Sequence, residues 1–268
     1  TFSYGSETIL SDVSVEIPEH GVVGIIDQTN RGMGRNVAYV QKMAAQAGVE
    51  ITHATGYYKE PFLPPECYTL TEQQLCDIMV KELTEGIEGT GVQATVIGEI
   101  GTSKDITETE AKVFRAASRA HAETGAPICT HTTLGTRGLE QLEIFKSFGV
   151  DLSRVVLSHI DLSADLDYMK RLLDQGVNIA FDTIGKCNYQ PDVSRADWLS
   201  RLCAEGYDTQ IVMSMDITRR SNFADRGGVG YSYLLDTFAP LASEAGVPDR
   251  AWENLLYRNA LRIYKGQK

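Results

Sequence analysis

The chain has 268 residues, a formal net charge of -11 and 43% hydrophobic residues, enough for one large domain or two small ones; with no low-complexity linker, a single domain over 1–268 is expected. No block of Lys and Arg interrupts the acidic balance, which disfavours nucleic acid and leaves small-molecule chemistry. No apolar run approaches the roughly 20 residues that span a bilayer, residues 1–19 lack a basic start followed by an apolar stretch, and five scattered cysteines (Cys67, Cys76, Cys129, Cys187, Cys203) read as reduced thiols, so a cytoplasmic protein with no membrane partner is expected.

Residues 1–20 read as a loop and a weak helix rather than an apolar strand. Beyond them, short β-branched runs alternate with amphipathic stretches, the pattern of βαβ units around a parallel sheet. A strand over 22–27 precedes a helix over 36–47. A strand over 50–54 leads through a long loop, 56–70, to a helix over 71–85, where Thr71 caps and Gln74 completes a capping box. The strand over 94–99 is followed by a helix over 107–124, with Thr107 and Glu110 as the same pair and Gly125 at its end. Strands over 127–131, 155–159 and 178–182 alternate with helices over 138–148, 164–175 and 193–205. The last strand, 210–216, opens into a long loop, 217–230, before helices over 231–245 and 249–259. Seven strands at about 33 residues per unit nearly fill eight units, so the α/β fold expected is a TIM (β/α)8 barrel without its first strand, in a sequence that begins after that strand. The alternative, an open doubly wound sheet, puts its chemistry on the same strand ends.

Glu99, His131, His159 and Asp216 each close one of these strand runs, so a parallel barrel brings them to one rim. Alternation along a strand points Ile97 the same way as Glu99, Cys129 as His131 and Ser214 as Asp216. Glu99, His131 and His159 suit a divalent ion such as zinc with an open position, where water is acidified to a pKa of about 7 and becomes a hydroxide nucleophile. Asp216 would bind a second ion and accept the proton. Against this stands a pair of core or rim histidines with neutral hydrogen bonds; the equivalent placement of all four residues favours the metal.

Other residues invite narrower roles. Arg219 and Arg220 in the final loop, and Lys186 after the 178–182 strand, would clamp an anion or form salt bridges. Arg31 and Arg35 flank Gly32 and Gly34 in a loop that presents backbone N–H groups to an anion. Tyr57 and Tyr58 would wall the substrate pocket or pack over the barrel mouth. Asp182 would accept the second N–H of a ligand imidazole or cap a turn, and Cys129 would be a packed thiol one layer below His131.

The segments 30–36 (NRGMGRN), 55–58 (TGYY), 98–103 (GEIGTS), 130–132 (THT), 158–159 (SH), 181–186 (FDTIGK) and 214–220 (SMDITRR) resemble the phosphotriesterase homology protein group of the phosphotriesterase family, in the amidohydrolase superfamily. The resemblance implies a binuclear zinc hydrolase on a TIM barrel, with Glu99 in the bridging position where phosphotriesterase itself uses a carboxylated lysine. It places His131 and His159 on the more exposed metal, and Asp216 on the buried metal as the group that takes the proton from bridging hydroxide. It also implies a His-x-His pair on a first strand. This sequence has none, since His20 and His53 are isolated on other elements. The cofactor expected is Zn2+, two per barrel in the family and one or two here.

The function expected is hydrolysis of an ester or lactone by metal-bound hydroxide. Basic residues on the rim favour an anionic small molecule, such as a phosphorylated or carboxylated sugar lactone. Phosphotriester hydrolysis is the alternative within the same class. Outside it stand a catalytically silent metal-binding protein whose open barrel edge pairs with a partner or in a homodimer, and a Cys-dependent hydrolase, which a chelator would spare.

Overall fold

Seven β-branched and small-residue runs pair as parallel strands in sequence order: β1 (Gly24–Asp27), β2 (Glu50–Thr55), β3 (Val96–Thr102), β4 (Ile128–Thr132), β5 (Val155–Ser158), β6 (Asn178–Phe181) and β7 (Ile211–Met213). The computed structural model describes residues 24–266, so His20 and the expected leading loop and weak helix lie outside the described residues. Parallel neighbours need crossovers, and helices supply them: α1 (Val37–Ala47), α2 (Glu72–Thr84), α3 (Glu108–Thr124), α4 (Gly138–Ser147), α5 (Leu166–Leu173) and α6 (Asp192–Ala204). The result is a curled α/β wall of the TIM type, in which β1 and β7 are the outer strands among the described residues.

Strand alternation sorts the two faces. Ala54, Val96, Cys129, Val156 and Ala180 point to the axis, where small side chains leave room for Tyr264 from the C-terminal segment. Ile97, Ile100, Ile128, Leu157 and Ile179 point outward and pack beneath the helices with Phe114 and Phe145, whose rings stack at 5.3 Å. Each such fully buried side chain contributes about 1.5–3 kcal/mol. Both expected capping boxes form, at Thr71 with Gln74 and at Thr107 with Glu110, and Gly125 closes α3 at a φ of 69°. No helix among the described residues is long and apolar enough to cross a membrane.

Two expected boundaries move. The last strand ends at Met213 rather than 216: Ser214 still donates its N–H to the Phe181 carbonyl at 3.0 Å, but Asp216 turns to a φ of 46°, which ends extended pairing. The helix expected over 231–245 starts as a wide turn, Leu234–Phe238, and becomes α7 (Ala239–Glu244) at Pro240, which cannot donate to the preceding turn. The final helix is likewise α8 (Asp249–Glu253) followed by a wide turn, Asn254–Arg258.

Candidate metal centre

β3 carries an irregularity that sets the first ligand. Ile97 pairs with Ile128 and Ile100 with Thr130, so β3 spends one residue more than β4 over this stretch. The extra residue shifts the alternation: Ile97 faces the helices and not the axis, contrary to expectation, whereas Glu99 reaches the axial cavity. A Cβ on Gly98 would lie 2.5 Å from the Cys129 carbonyl oxygen, so only glycine fits there. Asn30 Nδ2 donates to the Glu99 carbonyl at 2.8 Å, and Ser158 lines the same cavity and helps to lower the Glu99 carboxyl pKa.

His131 lies within β4, its Nδ1 bonded to the Tyr58 hydroxyl at 2.9 Å. His159 is the first residue past β5, at a φ of 63°. Asp182, the first residue past β6, accepts from His159 Nδ1 at 2.8 Å and from its backbone N–H at 3.0 Å. With Nδ1 so engaged, Nε2 faces Glu99 Oε1 at 3.3 Å; His131 Nδ1 stands 3.9 Å from Glu99 Oε2. The two imidazoles meet edge to face at 4.7 Å.

One ligand atom from each of Glu99, His131 and His159 lies within 4.8 Å of the others. Two ring nitrogens and a carboxylate oxygen fit a zinc-like ion, and the 3.3 Å contact is close to the ~3.4 Å donor spacing of a tetrahedral site with bonds of about 2.1 Å. Asp216 lies outside this group of three. Its carboxylate and carbonyl both accept from Lys186 Nζ.

The four groups are electrostatically divided. Burial opposes charge on Glu99, but His159 and then His131 outweigh it and hold the carboxyl down at about 2. Burial likewise opposes protonation of His159, yet Asp182 and Glu99 raise its pKa well above the usual value. His131 goes the other way, lowered to about 3 by burial, with Glu99 opposing and His159 and Lys59 reinforcing. Burial raises Asp216 to about 6 against the pull of His159 and Lys186.

Several expected site residues are elsewhere. Arg31 is not in the cavity lining: it pairs with Glu66, Glu82 and Glu88, and Arg35 pairs with Glu82 and Glu88, forming a charge network that ties the loop after β1 to α2. Tyr57 is fully buried in the core, where it forms a bridge with Arg31, and does not wall the pocket. Arg220 sits on the exposed turn Arg220–Asn222, outside the lining. Tyr58, Lys186 and Arg219 do line the cavity, which has a volume of about 1390 Å3. Cys129 is buried beneath His131, 3.4 Å from the Ser158 hydroxyl, and burial pushes its thiol up to about 12, so it lacks the thiolate that a cysteine hydrolase requires. His53 bonds Gln41 of α1 on the outer face of β2. The sequence reading missed Ser158, Lys59 and the exposed apolar residues Phe62, Leu134 and Tyr189 around the mouth. The available signal was position, since all but Ser158 lie in loops after a strand on the expected rim.

The chain matches the description of the phosphotriesterase family over residues 9–264. It is 42% identical over 251 residues to the phosphotriesterase homology protein of Escherichia coli (strain K12), covering 93% of this chain and 86% of the relative. It is 31% identical to the N-acetyltaurine hydrolase of Dictyostelium discoideum, covering 89% and 68%. Among solved structures, the Escherichia coli phosphotriesterase homology protein with phosphate in its active site superposes with a TM-score of 0.94 at 40% identity, covering 97% of this chain and 90% of that one. A lactonase from Listeria monocytogenes gives 0.90 at 28% identity, covering 97% and 86%.

Proposed function

Because the chain belongs to the phosphotriesterase family, we propose that it is a metal-dependent hydrolase that cleaves a carboxylic ester or lactone. The observation that carries this reading is the convergence of Glu99, His131 and His159 at the axial end of the strands. A divalent ion held by these three, zinc by the nature of the donors, would supply Lewis-acid polarisation of a carbonyl and an acidified water. Asp182 keeps the second nitrogen of His159 engaged and so aims Nε2 inward. Tyr58 bonds His131 and forms part of the wall above it. Asp216 lines the same cavity, where it would take up the proton, and Lys186 fixes where its carboxylate stands.

The lactonase neighbour favours the ester or lactone reading, and the relatives named N-acetyltaurine hydrolase favour a second one, cleavage of an N-acyl amide. The substrate we expect is a small anionic molecule, and the five free thiols support placing the protein in the cytoplasm. Elemental analysis of the purified chain, with a panel of lactones, carboxylic esters, N-acyl amides and a phosphotriester, tests the proposal. His159→Ala is expected to lose at least one metal equivalent and activity together. Full activity in metal-depleted His159→Ala overturns it.

A further inference from the structure

We propose that Lys59 determines substrate specificity by binding an oxyanion substituent, a carboxylate or phosphate, on the molecule whose carbonyl reaches Glu99, His131 and His159; this rests on the hydrolase reading above. Lys59 follows Tyr58 in the loop after β2 and lines the cavity. It lies beside His131: a Cβ on Gly101 would meet both the Lys59 Cβ and the His131 Cβ at 3.1 Å. Its ammonium contacts the Glu60 carbonyl at 3.3 Å and lies 5.8 Å from the Tyr58 ring centre, and it forms no ion pair among the described residues. A half-buried ammonium satisfied by one long bond to a carbonyl keeps donors free for an acceptor.

The other cations in the cavity differ. Lys186 is neutralised by Asp216 and Lys265 by Glu50, while Arg219 is exposed on the final loop. The backbone around Lys59 is also pinned on both sides. The Tyr58 carbonyl accepts from the Gly101 N–H at 3.0 Å, and the Glu60 N–H donates at 3.2 Å to the buried Glu110 carboxylate. Glu110 also accepts from the Ser103 N–H and hydroxyl and the Thr107 N–H. A cation without a counter-ion on a fixed backbone meets an incoming anion without the added cost of ordering the loop, leaving only its own side chain to order.

The test compares γ-butyrolactone-γ-carboxylate with its γ-carboxamide, which share a shape and differ in charge. The wild-type chain is expected to prefer the acid, with the difference in KM more than in kcat. Lys59→Met should cut that acid-over-amide preference roughly 10- to 100-fold, the range of one charge-assisted hydrogen bond, and Lys59→Arg should retain most of it. Calorimetric titration with the same pair reads the preference directly, whether or not either compound is turned over. A preference unchanged in Lys59→Met, in binding or in KM, overturns the assignment. Failure of turnover with intact discrimination in binding supports Lys59 and counts instead against hydrolysis of this lactone class.

Discussion

Replacing Asp182 by Asn probes how the candidate metal centre holds its most buried imidazole. The Asp182 carboxylate accepts from His159 Nδ1 at 2.8 Å and from the His159 backbone N–H at 3.0 Å. Asparagine keeps the shape and one acceptor oxygen, so what disappears is charge. A hydrogen bond to a charged group is worth about 1.5–3 kcal/mol and a neutral one about 0.5–1.5, so the exchange weakens the hold on His159 by about 1–1.5 kcal/mol, roughly tenfold in affinity for an ion bound through Nε2. Asp182→Ala removes both bonds and also frees the backbone at the positive φ of His159, and is expected to cost about 100-fold, the upper range for partners of a ligand imidazole. Competition for zinc against a chelating indicator reads both variants, with circular dichroism to show that each is folded. Unchanged zinc affinity in Asp182→Asn, or an alanine variant that binds no more weakly than the asparagine one, would refute the reasoning.

The Arg195 guanidinium is fully buried, bonding Asp161 and Asp192 at 2.7 and 2.8 Å and the Thr183 hydroxyl at 2.7 Å. Arg195→Met strands two carboxylates at a cost of about 3–5 kcal/mol, a fall of roughly 6–20 °C in calorimetric Tm; an unchanged Tm counts against it. For Glu82, burial opposes ionisation, but hydrogen bonds from Arg35 and Thr55 lower the pKa below the usual 4.5. Its stabilisation is therefore complete above that value and lost as pH falls through the lower folded pKa. Glu82→Gln should be less stable than wild type at pH 7 and should show a flatter acid-unfolding curve; parallel curves would contradict the network. Of the five thiols only Cys187 is exposed, while burial raises Cys67, Cys76, Cys129 and Cys203 to about 12. Iodoacetamide on the native chain should modify Cys187 alone and leave hydrolysis intact, whereas loss of activity on that modification would reopen thiol chemistry.

Features governed by neighbours in sequence were legible. The capping pairs at Thr71 and Thr107, the glycine after α3 and the alternation of strand and helix all depend on contacts within a few residues. The meeting of Glu99, His131 and His159 was legible because parallel strands deliver their ends to one rim. What escaped depends on pairing between distant segments. The phase error at Ile97 comes from the register of β3 on β4. Arg31 and Arg35 displayed their charge but not their partners, since Glu82 lies 51 and 47 residues away. Tyr57 and Tyr58 differ by one position, and the bridge from Tyr57 to Arg31 decides which of them reaches the cavity.

Glu110 has a kinetic consequence. One buried carboxylate receives the amides of Glu60, Ser103 and Thr107, which come from two different loops and the start of α3. Opening either loop alone would leave that carboxylate partly unpartnered away from water, so these amides should exchange with deuterium together, through one shared event. The Tyr58 and Lys59 side of the mouth then behaves as a fixed jaw, closing and opening only with the start of α3.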